Sequence, residues 1–486
     1  MQRVRRANRD DARRARPDGG EGEPAARLAE SEGWQPTHRQ ALLGLFGLGL
    51  LVRLALAPYG GHHFDIPTFE FWAYHLVQDP LSQFYHLKQQ FMPEQDHLPG
   101  DLWLLWFLGQ VFRLFSPAMD VETRGFAWML KLVPALADLG VAWMLYLIGR
   151  RLWSRNVGLI AAVLVLFNPA SIFLTAVWGQ WDSVSTFFAL LALWLYLAGR
   201  LGWVLPALTY ATLIKPQFAA FVPLIALTYY LEYVRREPGD TRPRPEGYWG
   251  DVLTPVVAGA AISVALAALV CLPFGVGLLG IGEWSIIERM RIAVNMNQFA
   301  SLYAFNLWSA VSPPTSQWQI DTEPFFLGAS YQAWGTVLTL IVYVAILVAY
   351  ARDRRPAAML WAAMAIMLTL YILPTRIHER YMLPVVLMCA LPAVIDPIYR
   401  RLFAVLSVTY FINIALVYAL PNAPRLFEGA SKSGAFWVAC SLTNVAVLGV
   451  MLWRRAPAAA SIPAADTDAA REAGGGELRG LPVTPV

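Results

Sequence analysis

Polar residues collect at the two ends of the chain and in short breaks between long apolar runs. The runs recur from residue 41 to residue 453, and many are long enough to cross a bilayer. The pattern predicts an all-α polytopic membrane protein with about twelve transmembrane helices, at 40–58, 126–149, 158–177, 183–199, 201–214, 217–232, 251–273, 335–351, 357–373, 381–397, 402–420 and 435–453. The short alternating segments of a membrane β-barrel are absent from this pattern. Pro216 divides the short fifth and sixth helices, as in broken or re-entrant segments, which are tolerated only where the freed backbone is buried in protein or lines a cavity. Residues 1–38 and 456–486 lack apolar periodicity and read as disordered cytoplasmic tails around one transmembrane domain, 39–455. The first apolar run starts far from residue 1 without a convincing cleavage site, which reads as a signal anchor.

Composition agrees. Hydrophobic residues make up 57% and charged residues 15%, against about 25% charged in a soluble domain. The net charge of +4 is too small to argue for a nucleic-acid partner. Cys271, Cys389 and Cys440 lie in or beside apolar runs, with neither zinc spacing nor a disulfide framework, and read as reduced thiols.

Basic residues set the topology. They follow the second helix (GRRLWSRN), the sixth (YVRREPGDTRPRPEG), the eighth (YARDRRP), the tenth (IYRR) and the twelfth (WRR), and they fill the N-terminal tail. An even helix count puts all of them in the cytoplasm, with both termini. The apolar stretch 101–115, with Arg113 inside it, would reverse every later loop if it spanned. It therefore reads as a helix at the interface, within a long first external loop. The external loops are then 59–125, 178–182, 215–216, 274–334, 374–380 and 421–434.

Four polar clusters fall in these external segments. The first, after the first helix, holds His62, His63, Asp65 and Glu70; Asp65 with Pro67 behind it also suits a helix N-cap, and two adjacent histidines do not make a metal site. The second is Gln180, Trp181, Asp182 and Ser183, where Asp182 or Ser183 suits an N-cap and the tryptophans suit an interface anchor. The third is Lys215 and Gln217 around Pro216, where a lysine either snorkels to the interface or marks a site. The fourth is Arg376, His378, Glu379, Arg380 and Tyr381, which reads either as a solvated turn with an internal ion pair or as an anion clamp. External cations run against the positive-inside bias, and arginine's planar fork suits phosphate. Together the clusters describe a membrane scaffold with a polar site at its outer face.

These residues resemble the GT-C superfamily, multispanning glycosyltransferases that use polyprenyl-phosphate sugars. Within it the chain is similar to bacterial proteins related to the second mannosyltransferase of GPI-anchor synthesis, and more distantly to the glucosyltransferases of the endoplasmic reticulum. The resemblance covers roughly residues 40–420 and rests on Asp65, NPASIFLTAVWGQWDS, KPQ, YAFNLW and RIHERYMLP. It implies a GT-C-like fold in the plasma membrane and an inverting transfer of a hexose, mannose by the resemblance, from a polyprenyl-phosphate donor to a lipid- or glycan-linked acceptor. Asp65 would be the general base. Arg376, His378 and Arg380 would lie near the donor phosphate, with Lys215 sharing that task. Gln180, Asp182, Gln217, Glu379 and Tyr381 would orient the substrates, and Asn306 and Trp308 would cover the donor. Many members carry an Asp-x-Asp motif in the first loop. This chain does not, which leaves Glu70, Asp96 and Asp101 as the loop's other acids and implies neither a metal nor a cofactor. The competing readings are a lipid-linked-sugar flippase or other transporter, which would favour ionisable groups near the midplane and internal repeats, and a non-catalytic envelope scaffold.

Overall fold

The computed structural model describes residues 36–88, 95–235, 247–278, 284–313, 318–353, 355–422 and 429–457. The tails expected to be disordered lie almost wholly outside the described residues. The chain divides into two units, Met1–Leu45 with Ser461–Val486, and Phe46–Ala460. Of the first, only the start of a helix is described. The second holds the rest of the described chain.

Helices dominate. In chain order they are α1 (Pro36–Leu56), α2 (Asp65–Gln78), α3 (Pro99–Arg113), α4 (Arg124–Leu152), α5 (Arg155–Leu166), α6 (Pro169–Ile172), α7 (Asp182–Leu197), α8 (Leu201–Ile214), α9 (Phe221–Tyr229), α10 (Tyr248–Cys271), α11 (Ile286–Asn295), α12 (Leu307–Val311), α13 (Tyr331–Arg352), α14 (Pro356–Ile372), α15 (Leu383–Ile395), α16 (Pro397–Asn422) and α17 (Gly434–Arg454). Among the described residues seven helical segments are long and apolar enough to cross a membrane: those of α1, α4, α10, α13, α16 and α17, and Pro216–Val234. A bent pair, Arg155–Leu166 with Pro169–Trp178, makes an eighth. The other segments expected to span are shorter: α7 has 16 residues, α8 has 14, α14 has 17 and α15 has 13. A straight crossing takes about 20 residues.

Burial separates two kinds of helix. α14 and α15 are apolar all round and buried on nearly every side, as befits central helices. α10 and α13 are also apolar but leave Val257, Val264, Leu269, Leu340 and Ile341 uncovered, which suits contact with lipid. These long, apolar, outward-facing helices mark an integral membrane protein.

Two local features build the site. First, the sequence predicts one continuous helix over 158–177, and the structure breaks it. Asn168 caps α6 by accepting from the N–H groups of Ala170 (3.0 Å) and Ser171 (3.3 Å), with Pro169 at the first helical position. The two halves meet at 47°, and the second half runs into a π-helical turn, Phe173–Trp178. Second, Pro134 lies inside α4 and has no N–H for the carbonyl of Leu130. The indole N–H of Trp181 donates to that carbonyl instead, at 3.1 Å. The Ser183 hydroxyl donates to the Pro134 carbonyl at 3.1 Å. The proline gap in α4 thus docks the start of α7.

α3 covers most of the stretch expected to lie at the interface, 101–115, and starts two residues ahead of it. Its first turn rests on the end of α8, where Tyr210 Oη donates to the Gly100 carbonyl at 3.0 Å, and Trp103 Nε1 donates to the carbonyl of Val270 near the end of α10 at 3.0 Å.

Candidate active site

Asp65 lies where α1 gives way to α2. α1 ends at Leu56, and Lys131 of α4 meets the carbonyls just beyond it. Its Nζ donates to Ala57 (3.1 Å), Tyr59 and Gly60 (2.8 Å). The chain then crosses to the π turn, with the His62 N–H donating to the Trp178 carbonyl at 3.0 Å. α2 begins at Asp65, but the Asp65 side chain does not cap it. Phe64 occupies the cap position without a side-chain bond, so the N-cap reading gives way to another role.

The Asp65 carboxylate turns into the fold. Its Oδ2 accepts from Trp178 Nε1 and from Gln180 Nε2, both at 2.6 Å. The His62 ring stacks flat on the Trp178 indole, with centroids 4.3 Å apart, and its Nδ1 accepts from the Asp65 N–H at 3.4 Å. Burial works to raise the Asp65 pKa, but the charge of Arg380, His62 and the two hydrogen bonds outweigh it and hold the carboxyl at about 2. Burial pulls His62 below its ordinary value, against the pull of Asp65 and Glu379. Every described hydrogen bond to the carboxylate falls on Oδ2, and Oδ1 has no hydrogen-bond partner among the described residues.

Gly179 makes this geometry possible. Its φ of +95° ends the π turn in a left-handed conformation, and a Cβ there would meet Ile66 Cδ1 at 2.7 Å. Trp178 and Gln180 flank it and both reach Asp65. Asp182 opens α7 without capping it, since Trp181 holds the cap position and makes no side-chain bond. The Asp182 carboxylate sits 3.9 Å from Lys215 Nζ, and neither oxygen has a hydrogen-bond partner among the described residues. Lys215 also lies over the Tyr381 ring, 5.6 Å from its centroid.

The turn from α14 to α15 supplies the cation. Arg380 Nη1 contacts Glu379 Oε1 and His378 Nδ1, each at 3.2 Å, and Tyr410 of α16 donates to the Arg380 carbonyl at 3.0 Å. Arg380 Nε is buried without a partner among the described residues. Burial, then the charge of Arg380, pushes His378 below its ordinary pKa, against the pull of Glu379 and Asp65. Burial would raise Glu379, but the hydrogen bond with His378 and the charge of Arg380 lower it.

The structure therefore gathers Asp65, Gln180, Asp182, Lys215, His378, Glu379, Arg380 and Tyr381. It does not bring Arg376 with them. Arg376 binds Asp321 through Nε (2.7 Å) and Nη2 (3.0 Å), and its Nη1 reaches Asn295 Oδ1. Its backbone takes a left-handed φ of +66°, and its N–H donates to the Phe299 carbonyl at 3.0 Å. Arg376 thus ties the loop of 295–321 to the α14–α15 turn. Asn306 caps α12 through the N–H groups of Trp308 and Ser309, both at 3.1 Å, and Trp308 Nε1 donates to the Leu373 carbonyl at 2.9 Å. Both side chains are buried in the packing of that loop. Gln217 is half-buried in the turn Pro216–Ala220 beside Lys215. Among the described residues no group of three or more His, Cys, Asp or Glu side chains is placed to hold a metal ion.

Sequence reasoning reads Trp178 only as an interface anchor and does not consider Lys131, Asp138 or Arg53. The available signal was a charge inside an apolar helix, which seldom occurs without a partner.

No protein-family model matches the chain, and no curated protein matches it. Among solved structures it is similar to the crystal structure of the Archaeoglobus fulgidus oligosaccharyltransferase in the apo form, at 14% identity and a TM-score of 0.37. The match covers 88% of this chain and 59% of that one, so the chain spans about three-fifths of its length.

Proposed function

We propose that the protein is an inverting glycosyltransferase of the GT-C type. It moves a hexose, mannose by the sequence resemblance, from a polyprenyl-phosphate donor to a lipid- or glycan-linked acceptor at the external face of the plasma membrane, with both termini cytoplasmic. One observation carries this reading. Asp65 is a buried carboxylate with Oδ2 held by two donors and Oδ1 unengaged among the described residues, and it lies in the field of Arg380, whose charge favours the ionised form and whose buried Nε has no partner among the described residues.

The chemistry rests on that pair. The acceptor hydroxyl donates a hydrogen bond to Asp65 Oδ1, and its oxygen attacks the anomeric carbon from the face opposite the phosphate. The new C–O bond forms as the bond to the phosphate oxygen breaks, and the lipid phosphate leaves with the electron pair. Arg380 stabilises the charge growing on that phosphate, in a site largely closed to water. A carboxylate with a pKa of about 2 is a weak base, so proton transfer is late. It occurs when the attacking oxygen, already bonded to carbon, is far more acidic than any carboxylic acid. His378, Glu379 and Tyr381 hold Arg380 in place. Lys215 and Asp182 supply polar contacts for sugar hydroxyls.

The experiment is transfer from a polyprenyl-phosphate hexose by the protein in nanodiscs, with the anomeric configuration of the product read by NMR. Inversion is expected, and retention or the absence of both donor binding and transfer overturns the reading. Sidedness is checked at Tyr59, which is well exposed: a Tyr59→Cys variant labels from outside the cell, and labelling only from the cytoplasm overturns the external site.

The transport reading has one observation in its favour, the buried pair of Arg53 and Asp138 within the helices. The pair is 2.8 Å apart, with both side chains fully enclosed, which fits a brace better than a pathway.

A further inference from the structure

α4 carries a buried lysine and a buried aspartate within its apolar length, Lys131 and Asp138. They lie two turns apart and so share a face of the helix. Each reaches a different arm of the Asp65 site. Lys131 takes the carbonyls of Ala57, Tyr59 and Gly60, the arm that leads into His62 and Asp65. Asp138 takes the other arm: its Oδ2 accepts from Ser171 Oγ and Thr175 Oγ1, both at 2.9 Å. Ser171 belongs to α6 and Thr175 to the π turn that ends in Trp178.

Arg53 completes the second brace. Its Nε donates to Asp138 Oδ2 at 2.9 Å, and its Nη1 donates to the carbonyls of Gly49 (3.0 Å) and Leu166 (2.9 Å). Leu166 is the last residue of α5, and the break ahead of Pro169 interrupts the helical ladder there. An unanswered carbonyl in hydrocarbon is strongly unfavourable, and Arg53 answers it.

The π turn makes this bracing consequential. A π turn holds one residue more than an α turn, and removing that residue's offset would rotate the residues beyond it by about 100°. Trp178 Nε1 and Gln180 Nε2 would then point away from Asp65. Thr175 sits within the turn, so its bond to Asp138 favours the π register over the α register.

We infer that Lys131 and Asp138, with Arg53, are positioning residues that set the geometry of Asp65 from one face of α4, Lys131 by fixing the arm that bears the carboxylate and Asp138 by holding the π turn that bears its two donors. The inference rests on Asp65 as the base wherever activity is read, but its structural part stands without that reading.

The test pairs two readouts on the full chain in nanodiscs. The variants are Asp138→Asn, the double variant Arg53→Met/Asp138→Leu, which leaves no unpaired buried charge, and Lys131→Met. Hydrogen–deuterium exchange is followed over residues 173–181, 57–66 and, as a control, 383–395. The Asp138 variants are expected to exchange faster at 173–181 with 383–395 unchanged, and Lys131→Met faster at 57–66. In transfer assays the double variant is expected to lose about a hundredfold in kcat, the usual cost of a small misplacement of reacting groups. The donor KM should stay within about threefold, and the acid limb of the pH profile should move upward as Asp65 loses its donors. If the double variant keeps its protection at 173–181 and its kcat, the inference fails. A parent with no transfer activity counts against the proposed function alone, because the exchange data still decide the bracing.

Discussion

Trp178 donates its indole N–H to Asp65 Oδ2 at 2.6 Å across 113 residues of sequence, and the same ring lies flat against His62, tilted by 7°. One side chain thus fixes the carboxylate and the imidazole that precedes it. The carboxylate cannot rotate without giving up the indole and Gln180 together, so Oδ1 keeps its direction.

Asp65→Asn preserves size and can still accept from Trp178 and Gln180, but it cannot take a proton. Its turnover is expected to fall by about 10²- to 10⁴-fold, the range for removal of a general acid or base, with donor affinity within a few-fold of the parent. Single-turnover transfer with labelled donor measures both. Undiminished turnover would remove Asp65 from the chemistry.

Gln180→Leu tests why Asp65 stays ionised. The folded pKa, about 2, lies below the ordinary carboxylate value of about 3.9. Stabilisation from the ionised form is therefore complete above about pH 4 and is lost as pH falls through the folded value. A hydrogen bond to a charged group contributes about 1.5–3 kcal/mol, so losing Gln180 should raise the acid limb of kcat/KM by about one to two pH units. His62 and Arg380 also face the carboxylate. Both are unchanged in the variant, and the shift is read as the difference between the two profiles. An unmoved limb would mean that Gln180 does not tune Asp65.

Much of this architecture is legible along the chain because bilayer length and apolar content are local properties. Helical segments stand near the expected positions, although among the described residues at most eight are long and apolar enough to span, and Gln180 bonds Asp65 although each cluster is short. What the sequence does not show is where partners lie. Arg376 and Arg380 look alike in RIHER, and only the fold shows that Asp321, 55 residues away, takes the first. Likewise, the N-cap reading of Asp65 and Asp182 comes from their positions at helix starts, whereas burial gives their carboxylates other neighbours. The break at Asn168–Pro169 was written in NPAS, but the apolar run around it masked the signal.

The two arginines are expected to fail differently. Arg376→Ala strips Asp321 of a bidentate partner in a site where the pair is nearly closed to solvent. Breaking a buried pair costs about 3–5 kcal/mol, so this variant should lose thermal stability and keep most of its kcat once folded. Arg380→Lys keeps a charge but loses the fork that donates to several acceptors, so it should lose kcat with little change in melting temperature. Thermal unfolding in detergent beside steady-state transfer separates them. Equal effects of both changes on kcat would return Arg376 to the donor clamp.

Glu70 gives a pH signature independent of the chemistry. It lies in α2, and burial, then the nearby charge of Glu122, raises its pKa to about 7, above the ordinary glutamate value of about 4.3. The folded state therefore favours the protonated acid. Stability from this group is complete below about pH 4 and is lost as pH rises through about 7. Glu70→Gln keeps the neutral shape at every pH. The parent should therefore lose about 1–3 kcal/mol relative to the variant between acidic and alkaline conditions, with equal stability near pH 4. Melting curves in one detergent at three pH values decide it. A parent that holds its melting temperature on the alkaline side as well as the variant does would show that Glu70 ionises there without cost.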